Sequence, residues 1–276
     1  METSIANKVQ PGGELQPLFN PTSGVPLPQT EIRDGRYLAR FARTHREVEA
    51  ALRLRYEVFN LELGEGLESS ALSGLDRDGF DDSCDHLIVL DEPEQRVVGT
   101  YRLQTADAAR AGQGFYSAQE FDLSTLSAGV IESSVELGRA CIARDHRNSH
   151  VLFLLWKGIA SYVAFHRKRY LFGCCSLTSQ DMAEGNHVYS FLQQTGQVHA
   201  EFAVAPRSDF ACGKGAAGPE PLGDVTLPKL FRAYLRYGAR VCSPPAIDRQ
   251  FKTIDFLVIF DVDAMDSRSH RLLFGA

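Results

Sequence analysis

Apolar positions along the chain follow two periods, and together they outline a mixed α/β protein. Thr44-x-x-Glu47 has the form of a capping box, and Val48, Leu52, Tyr56 and Phe59 then recur at helical spacing, with Arg53 and Glu57 among the polar positions between them. Leu61 to Ser83 is rich in Gly, Ser and Asp and reads as a long loop, a feature more often functional than idle in a compact domain. Strands are expected at His86–Leu90 and Arg96–Leu103, either side of Glu92-Pro93-Glu94-Gln95, and again at Ser134–Ile142. The run after Asn148, VLFLLWKGIASYVAFH, is too long for a strand and apolar nearly all round, as a buried helix is. Tyr170–Leu177 reads as an apolar strand, Gln180–Gln194 as a helix stopped by Gly196, Leu227–Tyr237 as a helix ended by Gly238, and Asp255–Val262 as a closing strand. Residues 1–34, with PGG, NPTSG and PLP, show neither period and are expected to form an irregular tail or wrapping segment; residues 35–276 then form one domain. This order implies an α/β (α+β) fold with a single central mixed sheet flanked by helices.

Composition narrows the function classes. Of 276 residues, 44% are apolar and 23% charged, which excludes a disordered or collagen-like chain. The net charge of −6 and the absence of a long basic run argue against a general nucleic-acid binder. The six cysteines at 84, 141, 174, 175, 212 and 242 show no C-x-x-C spacing, so no metal site is expected, and reduced thiols in the cytoplasm fit a start that lacks a signal peptide's basic and apolar regions. The longest apolar stretch, Val151 to Phe165, is interrupted by Lys157 and too short to span a bilayer, which leaves peripheral contact with an anionic membrane surface open.

Four groups could carry chemistry: Arg55 with Phe59, Asp82-x-x-Asp85, Arg102 within GTYRL, and Glu136-x-x-Arg139 within SVELGRACI. Each alone has an ordinary reading as a solvated charge, a turn former or a residue snorkelling from a sheet edge. Charges inside two apolar strands are harder to dismiss, because unpaired burial is costly and they need partners. Positions three apart on a regular strand face opposite sides. A β-bulge, for which Gly138 is suited, would bring Glu136 and Arg139 to one site and splay the strand from its neighbour. An extended, amide-bearing ligand could then pair with the freed backbone.

A strand ELGRACI, a basic turn ARDHRN and a long helix resemble the acyl-donor motif of the GNAT superfamily of N-acyltransferases. Arg55, Phe59, Asp82, Asp85, Arg102, Glu136 and Arg139 resemble, in order and spacing, the charged set of the acyl-homoserine lactone synthases. The phrases LRLRYEVFNLELG, CDHLIVLD, LFGCCSL and LPKLFRAYLRYGARVCSPPAIDRQFKTIDFLVIF are more similar to the ornithine N-acyltransferases of ornithine-lipid synthesis, with N-acyl amino acid synthases as near relatives. The likeness runs from about Thr44 to Val262. The lactone synthases carry a Trp beyond the Arg-x3-Phe pair, whereas this chain has only Trp156, which favours amino-acid acylation over lactone synthesis. A degenerate, non-catalytic relative that binds acyl chains is the other alternative, and the presence of all seven positions speaks against it.

The resemblance implies a GNAT-like sheet and an acyl group delivered as a phosphopantetheine thioester, with no tightly bound cofactor. Amide formation requires a base, alignment and oxyanion stabilisation. Glu136 is the expected base, directly or through a water; Arg139 and Arg102 would orient it and bind carboxylate or thioester oxygen. Arg55, Phe59, Asp82 and Asp85 would bind the amino acid, the aspartates holding a cationic one, and backbone N–H groups near Leu137–Cys141 would face the oxyanion. The turn Arg144–Ser149 has no glycine, which suits an acyl carrier protein better than coenzyme A, with Arg144 and Arg147 as docking residues. His166–Arg169 lies at the far end of the helix, roughly 25 Å away at 1.5 Å per residue, and would serve the helix C-terminus or anionic headgroups. The acyl chain is expected in a slot lined by Leu154 and Phe172, and Cys174-Cys175 as inert buried thiols. Acyl length, 3-hydroxylation and the amino acid stay open, with ornithine favoured.

Overall fold

The computed structural model describes residues 18–213 and 225–275. Its main sheet is built from β1 (Ile32–Asp34), β2 (Tyr37–Phe41), β3 (Asp85–Asp91), β4 (Arg96–Thr105), β5 (Ser134–Ile142), β6 (Tyr170–Leu177), β7 (Ala246–Asp248) and β8 (Thr253–Asp261), in the spatial order β7-β8-β6-β5-β4-β3-β2-β1. Neighbours are antiparallel except β5 and β6, which run parallel. Helix α1 (His45–Tyr56), capped by the Thr44 hydroxyl and continued as a π-helical turn over Glu57–Glu62, covers one face. Helix α2 (Ser149–His166), capped by Asn148, covers the other, with Gly158 against Leu87 and Tyr162 against Asp85. Helices α3 (Met182–Gln194), α4 (Lys229–Arg236) and α5 (Ser267–Phe274) follow.

The elements expected from long apolar runs are present, β5 and β6 with the same ends. The boundary expected at residue 34 is corrected: it falls inside the β1–β2 hairpin, Leu27 is buried in the core, and Asn20 is buried with its amide on the Cys84 carbonyl. Residues 18–34 therefore belong to the fold, and the remainder of the expected tail lies outside the described residues.

Two irregularities in the sheet make the site. β5 pairs with β6 only over Ser134–Glu136 against Tyr170–Phe172, after which the strands part. On its other edge, β5 is bulged against β4 between the pairs Arg102↔Gly138 and Thr100↔Cys141. The left-handed backbone at the bulge belongs to Arg139, with φ of 50°, and not to Gly138 as expected. At the parting of the strands a Cβ on Gly173 would collide with the Leu137 carbonyl oxygen, so this approach of backbone to backbone requires glycine.

Candidate active site

Arg102 pairs across the ladder with His86, and Asp85 with Leu103, so Arg102 and Asp85 face opposite sides of the sheet. On the α1 face a network of buried ions assembles from four segments: α1, the loop after it, β4 and β5. Arg55, 1% exposed on α1, donates from Nε to Asp76 at 2.7 Å and from Nη1 to Asp81 at 2.7 Å. Arg102 donates to Asp78 at 2.6 Å and to Asp81 at 3.3 Å. The bulge turns Arg139 to the same side, where it meets Asp76 at 3.3 Å and Asp78 at 3.2 Å. Burial alone would raise Asp78 and Asp81, but Arg102 and Arg139 beside the first, and Arg55 and Arg102 beside the second, outweigh it and hold both below the usual carboxylate range.

The aspartates of this network are not the expected pair. Asp82 is 69% exposed at its side chain, with Arg77 3.8 Å away. Asp85 is buried on the α2 face, where it accepts hydrogen bonds from Tyr162 Oη and Asn20, and burial pushes its carboxyl up to about 6. The chain carries the same three-residue spacing twice, as Asp78-x-x-Asp81 and Asp82-x-x-Asp85. Only the earlier pair reaches the arginines.

Glu136 faces the same side as Arg102 and Arg139. Its carboxylate accepts from the backbone N–H of Tyr116 at 2.8 Å, from that of Ser117 at 2.7 Å, and from the Ser117 hydroxyl at 2.6 Å. Burial raises its pKa against the lowering effect of those donors. The Tyr116 ring then stands over the Arg139 guanidinium at 4.7 Å, with the Phe251 ring at 4.2 Å, and Phe59 packs edge-on against Phe251. Arg55 thus acts at one remove, through the aspartates, whereas Phe59 lines the cavity itself beside Phe251. Arg102 and Arg139 both line the cavity and both pair with aspartates; the Tyr116 ring lies between them, nearer to Arg139 at 4.7 Å than to Arg102 at 5.5 Å.

A cavity of about 400 Å³ runs through the gap between β5 and β6. On the α1 face it meets Glu136, Arg139, Tyr116, Ser117, Cys174 and Asp255; on the α2 face it is bounded by Tyr101, Trp156, Ile159, Phe231, Tyr234 and Phe274. Phe172 lines it, edge-on to Phe115. Leu154 does not: it is buried in the core on another side of α2, so the expected lining by that residue is corrected to Trp156, Ile159 and Ala160. Burial pushes the Cys174 thiol well above its ordinary value, which leaves it a poor nucleophile. Sequence reasoning missed Tyr116, Ser117 and Asp255, which line the cavity.

Residues 54–157 match the family model described as an acetyltransferase (GNAT) domain. The L-ornithine N(alpha)-acyltransferase of Rhizobium meliloti (strain 1021) is 34% identical over 240 residues, 83% of this chain and 81% of that one. That of Rhodobacter capsulatus is 35% identical, covering 85% of this chain and 93% of its own. The chain belongs to the L-ornithine N(alpha)-acyltransferase family. It is an N-acyltransferase with a GNAT domain. Among solved structures, FeeM, an N-acyl amino acid synthase from uncultured soil microbes, aligns over 86% of this chain and 96% of its own at 11% identity and a TM-score of 0.48.

In this acyltransferase the turn before α2 is less basic than its sequence suggests. Arg147 is held by Glu62 at 2.5 and 2.7 Å and by the Ile142 carbonyl, while Arg144 is exposed. At the other end of α2, Arg169 pairs with Asp261 and Asp263, and Lys168 donates to the Glu132 carbonyl. These cations close the helix terminus onto its neighbours.

Proposed function

We propose that this enzyme moves a fatty acyl group, including 3-hydroxyacyl groups, from the phosphopantetheine thioester of an acyl carrier protein to the α-amine of ornithine. The observation that carries this reading is the cavity that crosses the sheet, acidic and polar on one face and apolar on the other. An amine on the polar side can meet a thioester held in the gap, with the acyl chain continuing to the apolar side. Glu136 takes a proton from the ammonium, and the free amine attacks the thioester carbonyl. As the oxyanion collapses the C–S bond breaks, the nitrogen's surplus proton passes to the departing thiolate to give the pantetheine thiol, and Glu136 returns its proton to solvent. Arg139 binds the α-carboxylate. Arg144 docks the acidic carrier, with Arg147 available when it leaves Glu62. This reading places the enzyme in the cytoplasm, in contact with the membrane that receives its product. Among the described residues no helix is long and apolar enough to cross a membrane.

Purified protein incubated with acyl-carrier protein or acyl-coenzyme A of one chain length, and a panel of amino acids, tests the reading by mass spectrometry. N-acylornithine formed faster from the carrier-protein donor is expected. Absence of every N-acyl amino acid with both donors would remove the reading. The apolar arm makes a separate prediction: Ile159→Phe should shift products to shorter chains and Trp156→Ala to longer ones, while Leu154→Val leaves the profile unchanged. An identical profile in the first two variants would move the chain elsewhere.

A further inference from the structure

A second set of buried acids has no task in the chemistry above. Glu120 is 1% exposed, and both of its carboxylate oxygens, with Oδ1 of Asp255, are buried with no donor group on them among the described residues. The two carboxyls therefore face each other, and one proton shared between them is their only mutual bond. Oxygens of the two carboxyls lie within 4.8 Å of each other and of the Cys174 sulfur. Burial, reinforced by the neighbouring carboxylates, pushes Glu120 well above the usual range and Asp255 up to about 6. Arg139 feels Glu120 but makes its ion pairs with Asp76 and Asp78. Two buried carboxyls without a counter-cation hold a proton to limit the cost of their charge, and a cation bound at them would take that proton's place.

The cluster meets the cavity through Asp255 and Cys174, which belong to its wall, and Glu120 stands behind them, within 4.8 Å. It also lies near enough to Arg139 for that cation to act on Glu120 through space. The Tyr116 ring covers the Arg139 guanidinium while its hydroxyl donates to Asp248 at 3.0 Å, and Asp248 raises both Glu120 and Asp255. Tyr116 therefore touches both the Arg139 guanidinium and the acidic cluster, through Asp248. A molecule with a carboxylate at one end and an ammonium at the other complements both.

We propose that Glu120 and Asp255 bind the side-chain ammonium of the acceptor, so that the site selects a diamino acid over its neutral isostere. This assignment replaces the one expected for Asp82 and Asp85, and it rests on the reading that the polar end of the cavity takes the acceptor amino acid.

Isothermal titration of the full chain with ornithine and with norvaline, which lacks only the distal amine, tests it without a donor. The wild-type protein should prefer ornithine. Glu120→Gln and Asp255→Asn should each lower affinity for ornithine on the order of 10²-fold, the loss typical of a buried charge partner, and leave norvaline binding within about 2-fold. Both changes are isosteric, and if one fails to give folded protein the other decides. Retained ornithine preference in the variants, equal loss for both ligands, or no ornithine binding by the wild-type protein overturns the inference. So does ornithine binding that vanishes with EDTA and returns with zinc, since a metal would then occupy the acids. Acyl transfer is scored separately: a protein that binds ornithine through these acids yet forms no amide keeps this inference and loses the reaction.

Discussion

Asp81→Ala is expected to cost about 3–5 kcal/mol of stability, because it strips a carboxylate from two buried guanidiniums at once. Arg55 and Arg102 both donate to Asp81, and the side chains of all three are buried. The adjacent Asp82→Ala should change stability by less than about 0.5 kcal/mol, since that side chain is exposed. Urea unfolding of the two variants side by side measures the contrast. The pH dependence has a fixed sign. Asp78 and Asp81 have folded pKa values below their unfolded ones, so their stabilisation is fully present above about 3.9 and is lost as pH falls through the folded values. Wild-type protein should lose this contribution only in strong acid, whereas Asp81→Ala lacks most of it at neutral pH. Equal midpoints for the two variants would mean that the network contributes nothing net.

How much of this was legible in the sequence depends on which physical signal each residue left. β5 and β6 were readable because their apolar runs are long and bounded by turns. The edge strands Ile32–Asp34 and Ala246–Asp248 span too few residues to show a period, and Tyr37–Phe41 takes its place by pairing with Asp85–Asp91, distant in the chain. Glu136 and Arg139 were legible as charges inside an apolar strand. Asp255, near the head of an equally apolar run, carries the same signal. Spacing could not choose between Asp78–Asp81 and Asp82–Asp85, since that choice is made by which loop residues reach Arg55 and Arg102. Tyr116 and Glu120 lie among short helical turns, where no periodicity marks a side chain as buried. Leu154 was misplaced for a related reason: a helix apolar on all sides does not reveal which side faces a cavity.

Glu136→Gln is expected to lower amide formation by on the order of 10²–10⁴ while the protein stays folded, if the carboxylate is the proton acceptor. The substitution keeps the shape and one acceptor oxygen for Ser117, and it opposes one amide donor to the N–H of Tyr116. A loss of activity alone therefore does not separate chemistry from a misplaced Tyr116–Gln119 turn, and the pH profile does. In the wild-type enzyme kcat/KM should rise with pH through the raised pKa of Glu136 as the base deprotonates. Ser117→Ala removes the hydroxyl that donates to this carboxylate and helps hold its pKa down. That variant should move the acid limb to higher pH, because loss of a donor to the charged form favours the protonated one. A purely structural Glu136 would give lower rates in Ser117→Ala with the limb unmoved. Wild-type turnover in Glu136→Gln would assign proton removal to another group, whatever the profile of Ser117→Ala.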